Sequence, residues 1–133
     1  MILGIGTDLV SIERIEGILQ RHPDRFVARV FTAAERELCG QRQAVAGGCW
    51  AKRFAAKEAL VKALGTGMRA GIWFTDIEIL NDPLGRPMMS LSGLAARRLQ
   101  EIRAAHGSEK VTIHLSLADE SGFALAYVIL EGY

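Results

Sequence analysis

The stretch Arg53-Phe54-Ala55-Ala56-Lys57-Glu58-Ala59-Leu60-Val61-Lys62-Ala63-Leu64-Gly65 constrains the chain most. It is rich in strong helix formers, contains no proline, and ends on a glycine where the left-handed residue after a helix belongs. At 3.6 residues per turn, Phe54, Glu58 and Lys62 share one face, while Ala55, Ala59, Ala63, Leu60 and Leu64 cover the buried side. A carboxylate and an ammonium therefore stand at the edge of the core. The plain reading is an i,i+4 pair on a solvated face, contributing about 0.2–0.5 kcal/mol. Lys57 points away from that face and is assigned a packing or surface role.

The N-terminus gives the helix a partner. Ile2 to Val10 reads as a buried strand in which Ile2, Gly4, Gly6 and Asp8 lie on one face. Two glycines leave a gap on that face, and an acid follows it. An unpaired buried carboxylate costs several kcal/mol, so Asp8 requires a cation, hydrogen-bond donors or water. The alternative is an acid at a helix N-cap or first turn.

With 133 residues, half of them hydrophobic, the chain is expected to form one domain over residues 1–133 with a well-filled core. Sixteen Lys plus Arg against 15 Asp plus Glu give a net charge of +1, which argues against non-specific nucleic-acid binding as the main role. Cys39 and Cys49 lack CxxC spacing, and nothing before the first strand resembles a signal peptide. Reduced packing thiols in a cytoplasmic protein are expected. The apolar runs fall short of the roughly 18–20 residues of a membrane-spanning helix.

Ser11 is placed to cap a helix striped by Ile12, Ile15, Ile18 and Leu19. His22-Pro23 ends it, and a short helix from about Asp24 buries Phe26, Val27 and Val30. Arg14, Arg21, Arg25 and Arg29 then form a basic surface near Asp8, or simply a solvated helix face. Phe31-Thr32-Ala33-Ala34-Glu35 has the form of a capping box opening a helix to about Gly40. Gln41 to Gly48, ending in two glycines, reads as a turn or hinge.

Ile72 to Leu80 alternates as a half-exposed strand, with Trp73, Thr75, Ile77 and Ile79 on one face. Asn81 to Pro87 is turn chemistry joining it to a strand at Met88–Leu91, with Arg86 near the hairpin tip. Ser92-Gly93 opens a helix with Leu94, Leu99 and Ile102 inward and Arg97, Arg98, Glu101 and Arg103 outward. Val111 to Leu117 alternates apolar residues with Thr112, His114 and Ser116. After a turn at Asp119–Gly122, Phe123 to Leu130 reads as a strand covered on both sides. Read alone, His114 and Ser116 are sheet residues with no chemical task.

Taken in order, several of these segments resemble the holo-acyl-carrier-protein synthases, the small bacterial type of 4'-phosphopantetheinyl transferase. They are Gly4-Ile5-Gly6-Thr7-Asp8 with the helix bearing Arg14, Phe31 to Glu35, Arg53 to Lys62 with Gly65-Thr66-Gly67, Gly85-Arg86-Pro87, and His114 to Asp119. The resemblance implies a compact α+β domain with an antiparallel sheet packed against helices. It implies Mg2+-dependent transfer of 4'-phosphopantetheine from coenzyme A to a serine of apo acyl carrier protein, within fatty-acid biosynthesis. Asp8 and Glu58 would hold the magnesium, and Lys62 a phosphate oxygen. Arg53 would contact another phosphate, and Gly65, Arg86 and His114 would join the coenzyme A site. Arg14, Arg21 and Arg25 would dock the acidic carrier. Homotrimers with sites between subunits are also implied. Where the family often has a histidine this chain has Asp119, with His114 upstream. Rival expectations are a metal-dependent phosphohydrolase and a non-enzymatic binder of acidic proteins.

Overall fold

A computed structural model describes residues 1–40, 46–69 and 71–133. Its centre is one long helix laid across a three-stranded antiparallel sheet. Strand β1 spans Ile2–Ser11, followed by helices α1 (Ile12–Arg21), α2 (Pro23–Val30), α3 (Ala33–Gly40) and α4 (Ala46–Ala63). A 3-10 turn at Phe74–Asp76 precedes the hairpin of β2 (Ile77–Asn81) and β3 (Pro87–Leu91). Helix α5 (Gly93–Ala105) leads to β4 (Val111–Glu120) and β5 (Phe123–Gly132). The sheet order is β1-β5-β4, both pairings antiparallel. The α+β expectation holds.

Helix α4 packs on the inner face of this sheet. Ala51, Ala55, Ala56, Ala59, Leu60, Val61 and Leu64 are all buried, against Val10, Ala124, Ala126, Val128 and Leu130 of the strands. Gly4 and Gly6 are what let β1 approach so closely. A Cβ on Gly6 would overlap the carbonyl oxygen of Ala59, and one on Gly4 that of Ala63. The helix closes at Gly65, where φ is +77°, and the N–H groups of Thr66 and Gly67 both donate to the carbonyl of Val61. Arg98 Nε on α5 donates to Leu64 O at 3.2 Å, satisfying another carbonyl at that end.

Several boundaries differ from the sequence expectations. Gly47 and Gly48 are not a turn or hinge but lie inside the first turns of α4, which starts seven residues before Arg53. The rest of that expected hinge, residues 41–45, lies outside the described residues. The strand expected from Ile72 begins at Ile77, because residues 74–76 take a 3-10 turn in which Asp76 Oδ2 accepts from Trp73 N. Trp73 is consequently exposed rather than aligned with buried Ile77 and Ile79. On α5, Ala95 takes the inward position expected of Leu94, which is exposed.

Strand β5 is covered on one face only. Ala124, Ala126, Val128 and Leu130 are buried under α4, whereas Phe123, Leu125 and Tyr127 are exposed with Ile5 and Leu9 of the neighbouring strand. The β4–β5 hairpin is tight: Ser121 and Gly122 both have positive φ between the paired Glu120 and Phe123. Cys39 and Cys49, expected as reduced thiols, instead form a disulfide that ties the end of α3 to the start of α4. Their spacing without a motif gave no sign of pairing; the fold brings them together.

Candidate functional site

Asp8 lies on the inner face of β1, two residues beyond Gly6, so the same close approach that buries the glycines carries it to the solvent end of α4. There Lys62 Nζ donates to Asp8 Oδ1 at 3.1 Å and to the backbone carbonyl of Thr7 at 2.9 Å. The Lys62 side chain is about half exposed while that of Asp8 is 17% exposed, so the ammonium sits at the mouth of the site and the carboxylate within it.

Glu58, one turn before Lys62, faces the same place and is half-buried. Its carboxyl holds its proton above the ordinary glutamate range, first because burial disfavours the charged form and second because Asp8 is nearby. Lys62 and Arg14 pull in the opposite direction. Two carboxylates and two cations from β1, α1 and α4 therefore converge. Like-charged carboxylates at close range attract a cation, and two carboxylates with room for substrate phosphates and water are the usual protein share of a magnesium site. The donor set fits that ion.

Arg14 is placed by the Ser11 cap, whose Oγ accepts from Arg14 N at 3.2 Å. With Arg21 it lines an open concavity of about 630 Å3 along α1 that also includes Glu13, Glu16 and Gln20. Arg25 and Arg29 border a smaller hollow of about 190 Å3 with Ile18, His22 and Phe26. The arginines thus form a basic rim over partly apolar ground, interrupted by two glutamates.

The remaining predicted residues are distributed differently. Gly65 ends α4 one turn from Lys62, its N–H donating to Lys62 O at 3.0 Å. Arg86 stands at the β2–β3 hairpin, where Asp82 Oδ1 accepts from the N–H groups of Leu84 and Arg86. His114 lies on the outer sheet face, its Nε2 2.7 Å from Glu131 Oε2, and α4 covers the opposite face. Asp119 pairs with Lys52 of α4 at 3.2 Å. Within one chain neither Arg86 nor His114 joins the Asp8–Glu58–Lys62 cluster through any hydrogen bond or ion pair among the described residues.

Arg53 was expected to contact a phosphate. It is instead 2% exposed, its Nε donating to Ile79 O at 3.0 Å, one terminal nitrogen to Cys49 O at 3.3 Å and the other to Asn81 Oδ1 at 3.4 Å. Those contacts bind α4 to β2 and direct the fork inward. Of the two roles expected for Lys57, packing or surface, the structure gives it the buried one. It is fully buried, with Nζ donating to Glu35 Oε1 at 2.6 Å, Val30 O at 2.6 Å and Phe74 O at 3.1 Å. Burial lowers its pKa, against the opposing pull of Glu35. Glu35 keeps its capping-box bond to Thr32 N and also accepts from Ile79 N at 2.8 Å. The capping box was visible in sequence; the cation that Glu35 meets was not.

A model of the 4'-phosphopantetheinyl transferase superfamily matches residues 4–128. The holo-[acyl-carrier-protein] synthase of Magnetococcus marinus is 50% identical over 133 residues, covering 98% of this chain and 94% of its own. That of Methylorubrum extorquens PA1 is 50% identical over 131 residues, with 98% and 94% covered. Among solved structures, the Neisseria meningitidis holo-[acyl-carrier-protein] synthase aligns with a TM-score of 0.82 at 38% identity, covering 98% of this chain and 99% of that one. The Bacillus anthracis enzyme, solved in complex with CoA (3',5'-ADP), aligns with a TM-score of 0.79 at 35% identity, covering 100% and 99%.

Proposed function

The chain belongs to the 4'-phosphopantetheinyl transferase superfamily as a holo-[acyl-carrier-protein] synthase, and we propose that Asp8, Glu58 and Lys62 form its reaction centre, at which coenzyme A donates phosphopantetheine to a carrier serine. The observation that carries this reading is the convergence of two carboxylates and an ammonium beside an arginine-bearing helix.

In the reaction a carrier serine hydroxyl attacks the β-phosphorus of coenzyme A. The new Ser O–P bond forms as the bond to adenosine 3',5'-bisphosphate breaks, and the hydroxyl proton passes to a site carboxylate or to water. Asp8 and Glu58 are the groups to hold Mg2+, which when bound neutralises charge on the phosphate oxygens. Lys62, on a flexible stem with its ammonium at the mouth, can exchange its bond to the Thr7 carbonyl for a phosphate oxygen. Gly65, presenting backbone next to Lys62, and Arg86 and His114 remain candidates for holding the rest of coenzyme A, the last two by way of a neighbouring subunit.

The outer sheet face supports a homotrimer. Ile5, Leu9, Phe123, Leu125 and Tyr127 present apolar surface that a second copy would cover, and His114 lies on that same face. Arg14, Arg21 and Arg25 line hollows suited to an acidic helical carrier, which their charge would steer and orient. No helix among the described residues is long and apolar enough to cross a membrane. A cytoplasmic location is part of the proposal.

The test is intact-mass analysis of an apo acyl carrier protein after incubation with the chain, coenzyme A and Mg2+. A phosphopantetheine gain on the carrier, lost in Glu58→Ala and without metal, is expected. Hydrolysis of coenzyme A with an unmodified carrier would put a phosphohydrolase in its place. Carrier binding without modification of any kind would leave only the adaptor reading.

A further inference from the structure

Helix α4 carries the reaction centre, so its rotation decides where Glu58 stands. A surface helix is oriented by one apolar stripe, but α4 is buried nearly all the way round, with Ala51, Ala55, Ala56, Ala59, Leu60, Val61 and Leu64 spread over its circumference. Trp50 against Phe31, Phe54 against Phe26 and Phe74, the Arg53 bonds to β2 and the close approach of Gly4 and Gly6 hold this rod from several sides. The carboxyl of Glu58 stands roughly 6 Å from the helix axis, so a turn of about 20° would carry it about 2 Å. A site of this kind tolerates about 0.5 Å.

The contact made next to Glu58 itself is polar and fully buried. Lys57, the residue before Glu58, has three Nζ donors and three acceptors: Glu35 Oε1 from α3, Val30 O from the end of α2 and Phe74 O from the 3-10 turn. Glu35 in turn accepts from Thr32 N and Ile79 N, so α3 and β2 are held in the same network. Neither side chain of the Lys57–Glu35 pair has any exposed surface. Any rotation or slide of α4 would pull the ammonium off carbonyls that cannot follow and leave a charge unpaired in the core, which is strongly disfavoured. A buried ion pair is a poor source of stability compared with well-packed apolar residues, but it discriminates sharply between geometries.

We propose that the Lys57–Glu35 pair is a positioning device for the reaction centre: it sets the rotation of α4 and thereby the placement of Glu58 opposite Asp8. It rests on the reading of Asp8 and Glu58 as cation ligands. Neither Lys57 nor Glu35 touches substrate; both act through the helix.

The experiment measures Mn2+ binding by electron paramagnetic resonance in the wild-type chain, in the double variant Lys57→Met/Glu35→Gln and in Glu58→Gln. The double variant removes both charges with side chains of similar size, and its fold is verified by circular dichroism and thermal unfolding. A folded double variant whose Mn2+ dissociation constant rises about 10- to 100-fold is the expected result, the size usual for groups that orient metal ligands. A folded double variant binding Mn2+ as tightly as wild type overturns the proposal and makes the pair purely structural. Should that variant fail to fold, Lys57→Gln/Glu35→Gln, which also removes both charges but keeps polar groups for the hydrogen bonds, is read by the same criterion. Unchanged affinity in Glu58→Gln would refute the cation-ligand reading itself, and the positioning role with it.

Discussion

Replacing Gly6 by alanine tests whether backbone proximity between β1 and α4 builds the site. Gly6 does not have positive φ, so its backbone accepts an L side chain and the effect is steric alone. The added Cβ would fall 2.8 Å from Ala63 N and closer still to the carbonyl oxygen of Ala59, where ordinary contacts begin at 3.4 Å. Both atoms are backbone of a helix packed on most of its circumference, so β1 must retreat by roughly 1 Å, at an overpacking cost of about 1–3 kcal/mol. Part of this is offset by the reduced freedom of the unfolded chain, about 0.4–1 kcal/mol. Asp8 moves with the strand, opening its 3.1 Å contact with Lys62 and its distance to Glu58. A misplacement of that size lowers turnover about 100-fold. Urea unfolding and single-turnover transfer to an apo carrier are the two assays. Gly4→Ala, which meets Ala63 O farther from Asp8, is the comparison: similar loss of stability with much less loss of rate. If Gly6→Ala matched wild type in both assays, the glycines would not be what brings Asp8 to α4.

Because the folded chain raises the pKa of Glu58 above its ordinary value of 4.5, it binds a proton that the unfolded chain has released in the window just above that value. Stability without metal should therefore decline as pH rises through this window, Glu58→Gln should abolish the decline, and a pH series of denaturant unfolding reads both. For the same reason Mn2+ affinity should weaken on acidification at a higher pH than for an ordinary glutamate site, as followed by titration calorimetry. Arg14→Glu should slow association with an acidic carrier several-fold at low salt, the difference narrowing as ionic strength shortens the Debye length from roughly 10 Å, in stopped-flow measurements. Cys39→Ser or reduction should lower stability by about 3 kcal/mol, the loop-closure value for a bridge of this span, seen as a shift in urea midpoint; the cysteines are ten residues apart.

The legible parts of the sequence were those governed by local chemistry. The capping box at Thr32–Glu35, the glycine end of α4 and the alternation of β4 all depend on neighbours a few residues away, and each formed as expected. Asp8 and Glu58 stood out because two glycines before an acid, and a carboxylate on the rim of an apolar helix, are locally anomalous, but the residues alone allowed plain readings and only the family resemblance gave the two a shared task. What escaped was decided by distant partners. Lys57 looked like one more helical lysine until α2, α3 and the 3-10 turn supplied its acceptors. Arg53 could have reached a phosphate or a carbonyl with the same donors, and the position of β2 decided between them. The alternation through Trp73 and Thr75 had the period of a strand, but the Asp76 carboxylate capped the Trp73 N–H and bent the backbone. One-sided exposure of β5 was equally hidden, since its outer residues are as apolar as its inner ones.

The pairing of the first strand with the last has a consequence for how the protein is born. β1 leaves the ribosome more than 110 residues before its partner β5. Until then the Asp8 strand has nothing to bond to along its edge, and α4 has only part of the surface it is to cover. Helices α1 to α3 can form early from local contacts, but closing this long loop must wait for β5 to emerge. The reaction centre would thus assemble only once β5 has been made, and a nascent chain stalled before Phe123 would carry Asp8, Glu58 and Lys62 without the scaffold that unites them.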